Sequence, residues 1–183
     1  MARLATAAAG VALAIATAAG CGPPETTVRQ ALSGAETTVT YDTATFQLAR
    51  GARVQFVLFR RVGAPLGTAD PDFEFVYLEL PERARYGWLR QDDVPVRRWV
   101  HEDGVDHVWR GTAGQAALDF ARAKRVAELD FRVTLEPAGP TSGGILTYGG
   151  DVRFAEDVLR TQGLLNQYAE RLDRLLERAP PDR

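Results

Sequence analysis

Glu128-Leu-Asp-Phe-Arg-Val-Thr-Leu135 decides the fold class. Leu129, Phe131, Val133 and Leu135 fall on one side of an extended chain, and Glu128, Asp130, Arg132 and Thr134 on the other. Successive side chains of a strand point to opposite faces. One dry face and one wet face is the pattern of an antiparallel sheet resting on a single core.

The same period recurs upstream. Val39 and Tyr41 alternate with threonines, and Phe46 and Leu48 alternate with Thr45 and Gln47. Arg53–Phe59 is rich in β formers, and Phe73–Leu80 is apolar enough for a largely buried strand. Turn-rich stretches separate these runs: Gly63 to Pro71, Asp92 to Pro95 and Glu136 to Gly144. Between Glu36 and Gly144 no long helical period appears. Many short strands at modest spacing predict an antiparallel β-sandwich or open barrel over residues 36–152.

Beyond it the pattern changes. Phe154, Val158, Leu165, Tyr168, Leu172, Leu175 and Ala179 recur at spacings of three, four and seven, and Pro180-Pro181 follows. This predicts one long amphipathic helix over 153–179 and a short tail, 180–183. Heptads can be written through Val158, Leu165 and Leu172, but Thr161 is a poor seam residue. Gly163 costs about 1 kcal/mol relative to alanine. Leu164 and Leu176 widen the stripe, which suits packing on a sheet. The expectation is a helix covering the β domain and a monomeric protein.

The N-terminus reads as an address. Arg3 precedes an uncharged, alanine-rich run from Leu4 to Ala19, too short to span a bilayer comfortably. Basic start, apolar middle and small-residue end are those of an export signal, residues 1–20. Its last residues, Ala18-Ala19-Gly20-Cys21, resemble the lipobox of bacterial lipoproteins. In that family the cysteine receives a diacylglycerol thioether and becomes the first mature residue, so the resemblance implies lipid attachment at Cys21. Ala18 stands where leucine is usual. A plain secreted protein would leave Cys21, the chain's single cysteine, as an unpaired thiol in an oxidising compartment. Residues 21–35 then read as a tether, with one helical turn near Val28–Leu32. The implied location is a cell membrane, lipid-anchored, and the outer membrane facing the periplasm in a Gram-negative source.

Composition excludes some partners. The chain of 183 residues has a net charge of −2, and losing Arg3 makes it more acidic. No basic field exists to attract nucleic acid. Lys124 is the one lysine among many arginines, a bias that weakens functional readings of single arginines.

Three candidate sites stand out. In Arg98-Trp-Val-His-Glu-Asp-Gly-Val-Asp-His-Val-Trp109, Asp103-Gly104 signals a hairpin. A two-residue turn sets His101 opposite Asp106 and puts His107 on the other face. A three-residue turn gathers Trp99, His101, His107 and Trp109 on one face. Neither supplies the three protein ligands that zinc requires, and no metal or cofactor is expected. Asp70, Asp72 and Glu74 alternate but fail the EF-hand pattern, because Phe75 stands where glycine is needed; they read as a solvated loop before a strand. Tyr86 and Trp88 lie among Arg83, Arg85 and Arg90, and with Trp99 and Trp109 they are the candidate ligand-binding residues for a glycan or small molecule. Signature motifs of hydrolases, zinc proteases and phosphate-binding loops are absent. The sequence therefore predicts a noncatalytic envelope lipoprotein with a structural or interaction role and an envelope protein or glycan partner. The alternative is a small-molecule or glycan-binding β domain.

Overall fold

The computed structural model describes residues 26–32, 35–62, 71–81, 96–121 and 125–178. Nine strands form one sheet: β1 (Thr26–Leu32), β2 (Ala35–Tyr41), β3 (Thr43–Ala49), β4 (Arg53–Arg61), β5 (Phe73–Pro81), β6 (Val96–Glu102), β7 (Val105–Ala121), β8 (Val126–Pro137) and β9 (Leu146–Glu156). The helical part follows as α1 (Val158–Leu164), a π-helical stretch (Leu165–Ala169) and α2 (Glu170–Arg178).

The sheet order is β2-β1-β9-β3-β4-β5-β6-β7-β8, and β8 pairs back onto β9. That pairing closes seven strands, β3 to β9, into a barrel. The mainly β class and the single C-terminal helical segment are as expected; the sandwich or open barrel is corrected to a closed one. Closure is made by β9. One of its edges pairs with β8 from Leu146 to Ala155. Its other edge is shared, Leu146–Gly149 with β1 and Ala155–Glu156 with β3. At Gly149 a Cβ would lie 2.2 Å from the Phe131 carbonyl oxygen and 2.8 Å from the Arg132 Cα. Only glycine lets β9 approach β8 this closely.

Ala49, Arg53, Pro81, Val96, Ala121 and Val126 bound their strands at one end of the barrel, here termed basal; Arg61, Phe73, Glu102, Val105, Pro137 and Leu146 bound theirs at the other, apical end. Asp103 and Gly104 turn the apical β6–β7 hairpin with φ of 52° and 76°, the two positive values a tight hairpin turn needs.

Inward-facing residues fill the barrel. Phe46, Phe56, Phe131, Phe154, Tyr148, Leu58, Leu78, Leu80, Leu129 and Leu135 are fully buried. Phe56 meets Phe154 edge-on with centroids 4.8 Å apart. A second apolar cluster lies outside the wall. Val57, Phe73, Phe75, Tyr77, Trp99 and Val108 are covered by Leu165, Tyr168, Leu172 and Leu175 of the helical segment. The Tyr168 ring lies 4.8 Å from Phe73, 5.3 Å from Phe59 and 5.4 Å from Phe75. Both faces of β5 are therefore dry, which explains its nearly unbroken apolar run. Leu172 is fully buried, a burial that contributes about 1.5–3 kcal/mol.

Two boundaries differ from those read in the sequence. Residues 26–32, read as tether with a helical turn, form β1, and Val28 points into the core. The helix begins at Val158 rather than 153. Phe154 is a strand residue of the barrel core, and Asp157 caps the helix by accepting from the Arg160 amide at 2.9 Å. Val158 is exposed, while Thr161 is buried and donates to the Asp157 carbonyl at 2.6 Å. The hydroxyl that made Thr161 look like a poor core residue is satisfied by its own helix.

Candidate functional site

Within the apical half of the barrel an ionised cluster is enclosed by apolar wall. Glu74 of β5 faces inward on the side of Val76, Leu78 and Leu80, with no exposed surface. It is no part of a solvated loop. Its Oε1 accepts from Arg98 Nε at 2.7 Å and from the Tyr41 hydroxyl at 2.5 Å; its Oε2 accepts from Arg60 Nε at 2.7 Å. Tyr41 has one proton and gives it to Glu74, so Tyr148 donates to the Tyr41 oxygen. Arg98 also donates to Gln30 Oε1 at 2.9 Å, and its guanidinium lies 4.7 Å from the Trp109 ring centroid and 5.6 Å from that of Tyr148.

Six strands supply this cluster besides β7: Gln30 from β1, Tyr41 from β2, Arg60 from β4, Glu74 from β5, Arg98 from β6 and Tyr148 from β9. It ties the β1–β2 hairpin to the opposite barrel wall. Burial alone would push the Glu74 carboxyl up, but Arg98, with Arg60 behind it, holds it below the ordinary glutamate value. Burial would lower Arg98, and Glu74 holds it above its ordinary value instead. Burial, then the neighbouring Tyr148 and Glu74, push the Tyr41 phenol well up; burial and Glu74 do the same to Tyr148. The result is a permanent ion pair flanked by two permanently protonated phenols. Such a set latches and orients. It holds no group poised to exchange a proton near neutrality.

The tryptophans nominated in the sequence do not share a surface. Trp99 and Val108 pair across the β6–β7 hairpin, as do His101 and Asp106, the register of a two-residue turn. Trp99 faces outward and is buried under the helical segment, where its Nε1 donates to Asp106 Oδ1 at 2.8 Å. Trp109 faces the barrel interior against Arg98. His101 contacts Asp106 Oδ1 through Nδ1 at 2.7 Å, whereas His107 turns to the Thr141 carbonyl at 2.5 Å. The two histidines lie on opposite faces. Cys21, Tyr86 and Trp88 lie outside the described residues, as does Asp70.

An outer groove of about 390 Å³ runs over β1, β8 and β9, between Arg29, Glu36, Asp130, Arg132 and Asp151, with Gly149 on its lining. Of the hydrogen-bonded cluster residues, the sequence singled out Glu74 alone, and as part of a solvated acidic loop rather than of a buried ion cluster. The available signal was Glu74 itself, a carboxylate on an otherwise apolar face of a strand with two dry sides. No family model, curated protein or solved structure matches the chain.

Proposed function

We propose that the protein is a lipid-anchored envelope protein whose barrel is a noncatalytic interaction module held close to the membrane through Cys21. The observation that carries this reading is the position of β1. The first described strand begins at Thr26, five residues after the lipobox cysteine. Five residues reach about 18 Å at most, so a lipid on Cys21 keeps the barrel beside the bilayer rather than at the end of a long leash. The packed interior and the fully partnered ion cluster support a rigid module and offer no nucleophile–base pair. Several acyl chains are needed for stable anchorage, because one gives only marginal binding.

Fractionation of the producing cells tests the reading. The wild type partitions with membranes, and Cys21→Ser either appears in the soluble fraction or keeps its signal peptide. Equal membrane partition of the processed Cys21→Ser protein would refute lipid anchorage. A second reading, a small-molecule or glycan-binding domain, is favoured by the outer groove with its paired arginines and carboxylates. Binding of an oligosaccharide that Arg132→Ala abolishes would establish it.

A further inference from the structure

The two ends of the barrel differ in charge and polarity. At the basal end, the β3–β4 turn carries Arg50 and Arg53 and the β7–β8 turn closes at Arg125. Arg160, at the start of α1, donates instead to Thr43 Oγ1 at 2.6 Å. Three acids there are engaged: Glu79 pairs with Arg53, Glu156 lies 4.0 Å from Arg125, and Asp157 caps the helix. Asp119 and Glu128, as near to their strand ends as Glu79 is to its own, are exposed and stand opposite each other across β7 and β8. Arg125 is 81 % exposed.

Beside these arginines lie exposed apolar side chains. The parallel pairing of β3 with β9 brings Phe46 opposite Glu156, and the Asp157 amide donates to the Phe46 carbonyl at 3.2 Å. The pairing ends there, and the chain turns into α1 at Val158. Leu48 is 48 %, Val158 53 % and Leu159 87 % exposed. Leucine in the first turn of a helix, pointing to water beside guanidinium groups, is the composition of a surface that meets lipid headgroups.

The apical end is the reverse. Glu36, Asp72, Glu102 and Asp103 lie there, against Arg61 and an Arg29 that pairs with Glu36. β1 runs antiparallel to β9, and β9 runs from the apical to the basal end. β1 therefore runs toward the apical end, with its first residue, Thr26, opposite Tyr41.

We infer that the basal end is a membrane-docking face, with Leu159, Val158 and Leu48 dipping into the headgroup region of an anionic leaflet and Arg50 and Arg125 pairing with lipid phosphates. The inference rests on the Cys21 anchor, which sets the distance, and adds the orientation. The acidic apical end, with the β6–β7 hairpin, then faces away from the bilayer and is the surface free for a partner.

Site-directed labelling tests it. Cys21 is the single cysteine of the chain, and its thiol is consumed by lipid, so an introduced cysteine is the one reactive position. Mature lipidated protein carrying Leu159→Cys or Asp103→Cys is nitroxide-labelled in vesicles of phosphatidylethanolamine and phosphatidylglycerol. The expected result is a several-fold higher ratio of oxygen to nickel-chelate collisions at position 159 than at 103. Combining Leu159→Cys with Arg50→Glu and Arg125→Glu should lower that ratio toward the value at 103. Equal ratios at the two positions, or a deeper label at 103, would overturn the docking face. Label uptake at Cys21 in a chain without an added cysteine would instead overturn the anchor beneath it.

Discussion

Replacing Glu74 by leucine removes the one negative charge of the buried cluster and keeps an apolar group of similar reach. Arg98, 6 % exposed, is left with Gln30 and two aromatic faces; Arg60, 27 % exposed, can turn to water. Removing one partner of a buried ion pair costs about 3–5 kcal/mol, chiefly through the charge left behind. Tyr41 also loses its acceptor, at about 1 kcal/mol. The expected loss is about 4–6 kcal/mol. At about 2–4 °C per kcal/mol for a domain of this size, the melting temperature falls by roughly 8–24 °C. Urea unfolding followed by tryptophan fluorescence and by far-ultraviolet circular dichroism measures it, the two probes checking two-state behaviour. Glu74→Leu combined with Arg98→Met should cost less than Glu74→Leu alone, because the orphaned charge leaves as well. A loss under about 1 kcal/mol for Glu74→Leu, or a double variant costing the sum of its parts, would refute the assignment of the cluster as a desolvated latch.

Three further outcomes follow from the same geometry. Leu165→Ala should destabilise the whole domain by about 2–5 kcal/mol, and Leu172→Asp more, with the purified domain monomeric in sedimentation; an unchanged melting temperature would detach the helix from the barrel. Gly149→Ala drives a Cβ into the Phe131 carbonyl and should lower stability sharply, whereas Gly163→Ala, in a helix with nothing within 4 Å of the new methyl group, should raise it by about 1 kcal/mol; equal melting temperatures for the two variants would contradict the strand packing. Glu74 titrates below its unfolded-state value, so its stabilisation is complete above the ordinary glutamate range near pH 4.3 and is lost as pH falls through the folded-state value. The wild type should therefore lose stability on acidification below that range more steeply than Glu74→Gln, as read by denaturation midpoints against pH.

Much of this architecture is legible in the chain because local patterning and tertiary burial agree. Glu128–Leu135 alternates cleanly since β8 has core on one side and water on the other. Phe73–Leu80 reads as a buried strand since β5 lies between the barrel interior and the helical segment. Asp103-Gly104 specifies its turn through the two positive φ values. The misreadings have physical causes. Thr26–Leu32 places one fully buried apolar side chain, Val28, in the core, and a strand sharing its partner's edge with another needs little hydrophobic signal. Phe154 stands four residues before Val158, so the strand-to-helix junction at Asp157 mimics a continuous helical stripe. Closure was illegible because it depends on β9 meeting β8, β1 and β3, pairings set by chain reversal and by the glycine at 149. The ion cluster draws on six strands, none of which holds more than one of its charges, so no local motif announces it. Trp99 and Trp109 looked like one aromatic face under one turn length and are separated by the barrel wall under the other.

The central claim is that Cys21 is the mature N-terminus and carries lipid. Intact mass spectrometry of the protein extracted from the membranes of its producing cells tests it most directly. The account predicts a chain beginning at Cys21 whose mass exceeds that of the polypeptide by a diacylglycerol group, with or without a further acyl chain. A mature chain of unmodified mass, with a Cys21 thiol that reacts with maleimide, would contradict it.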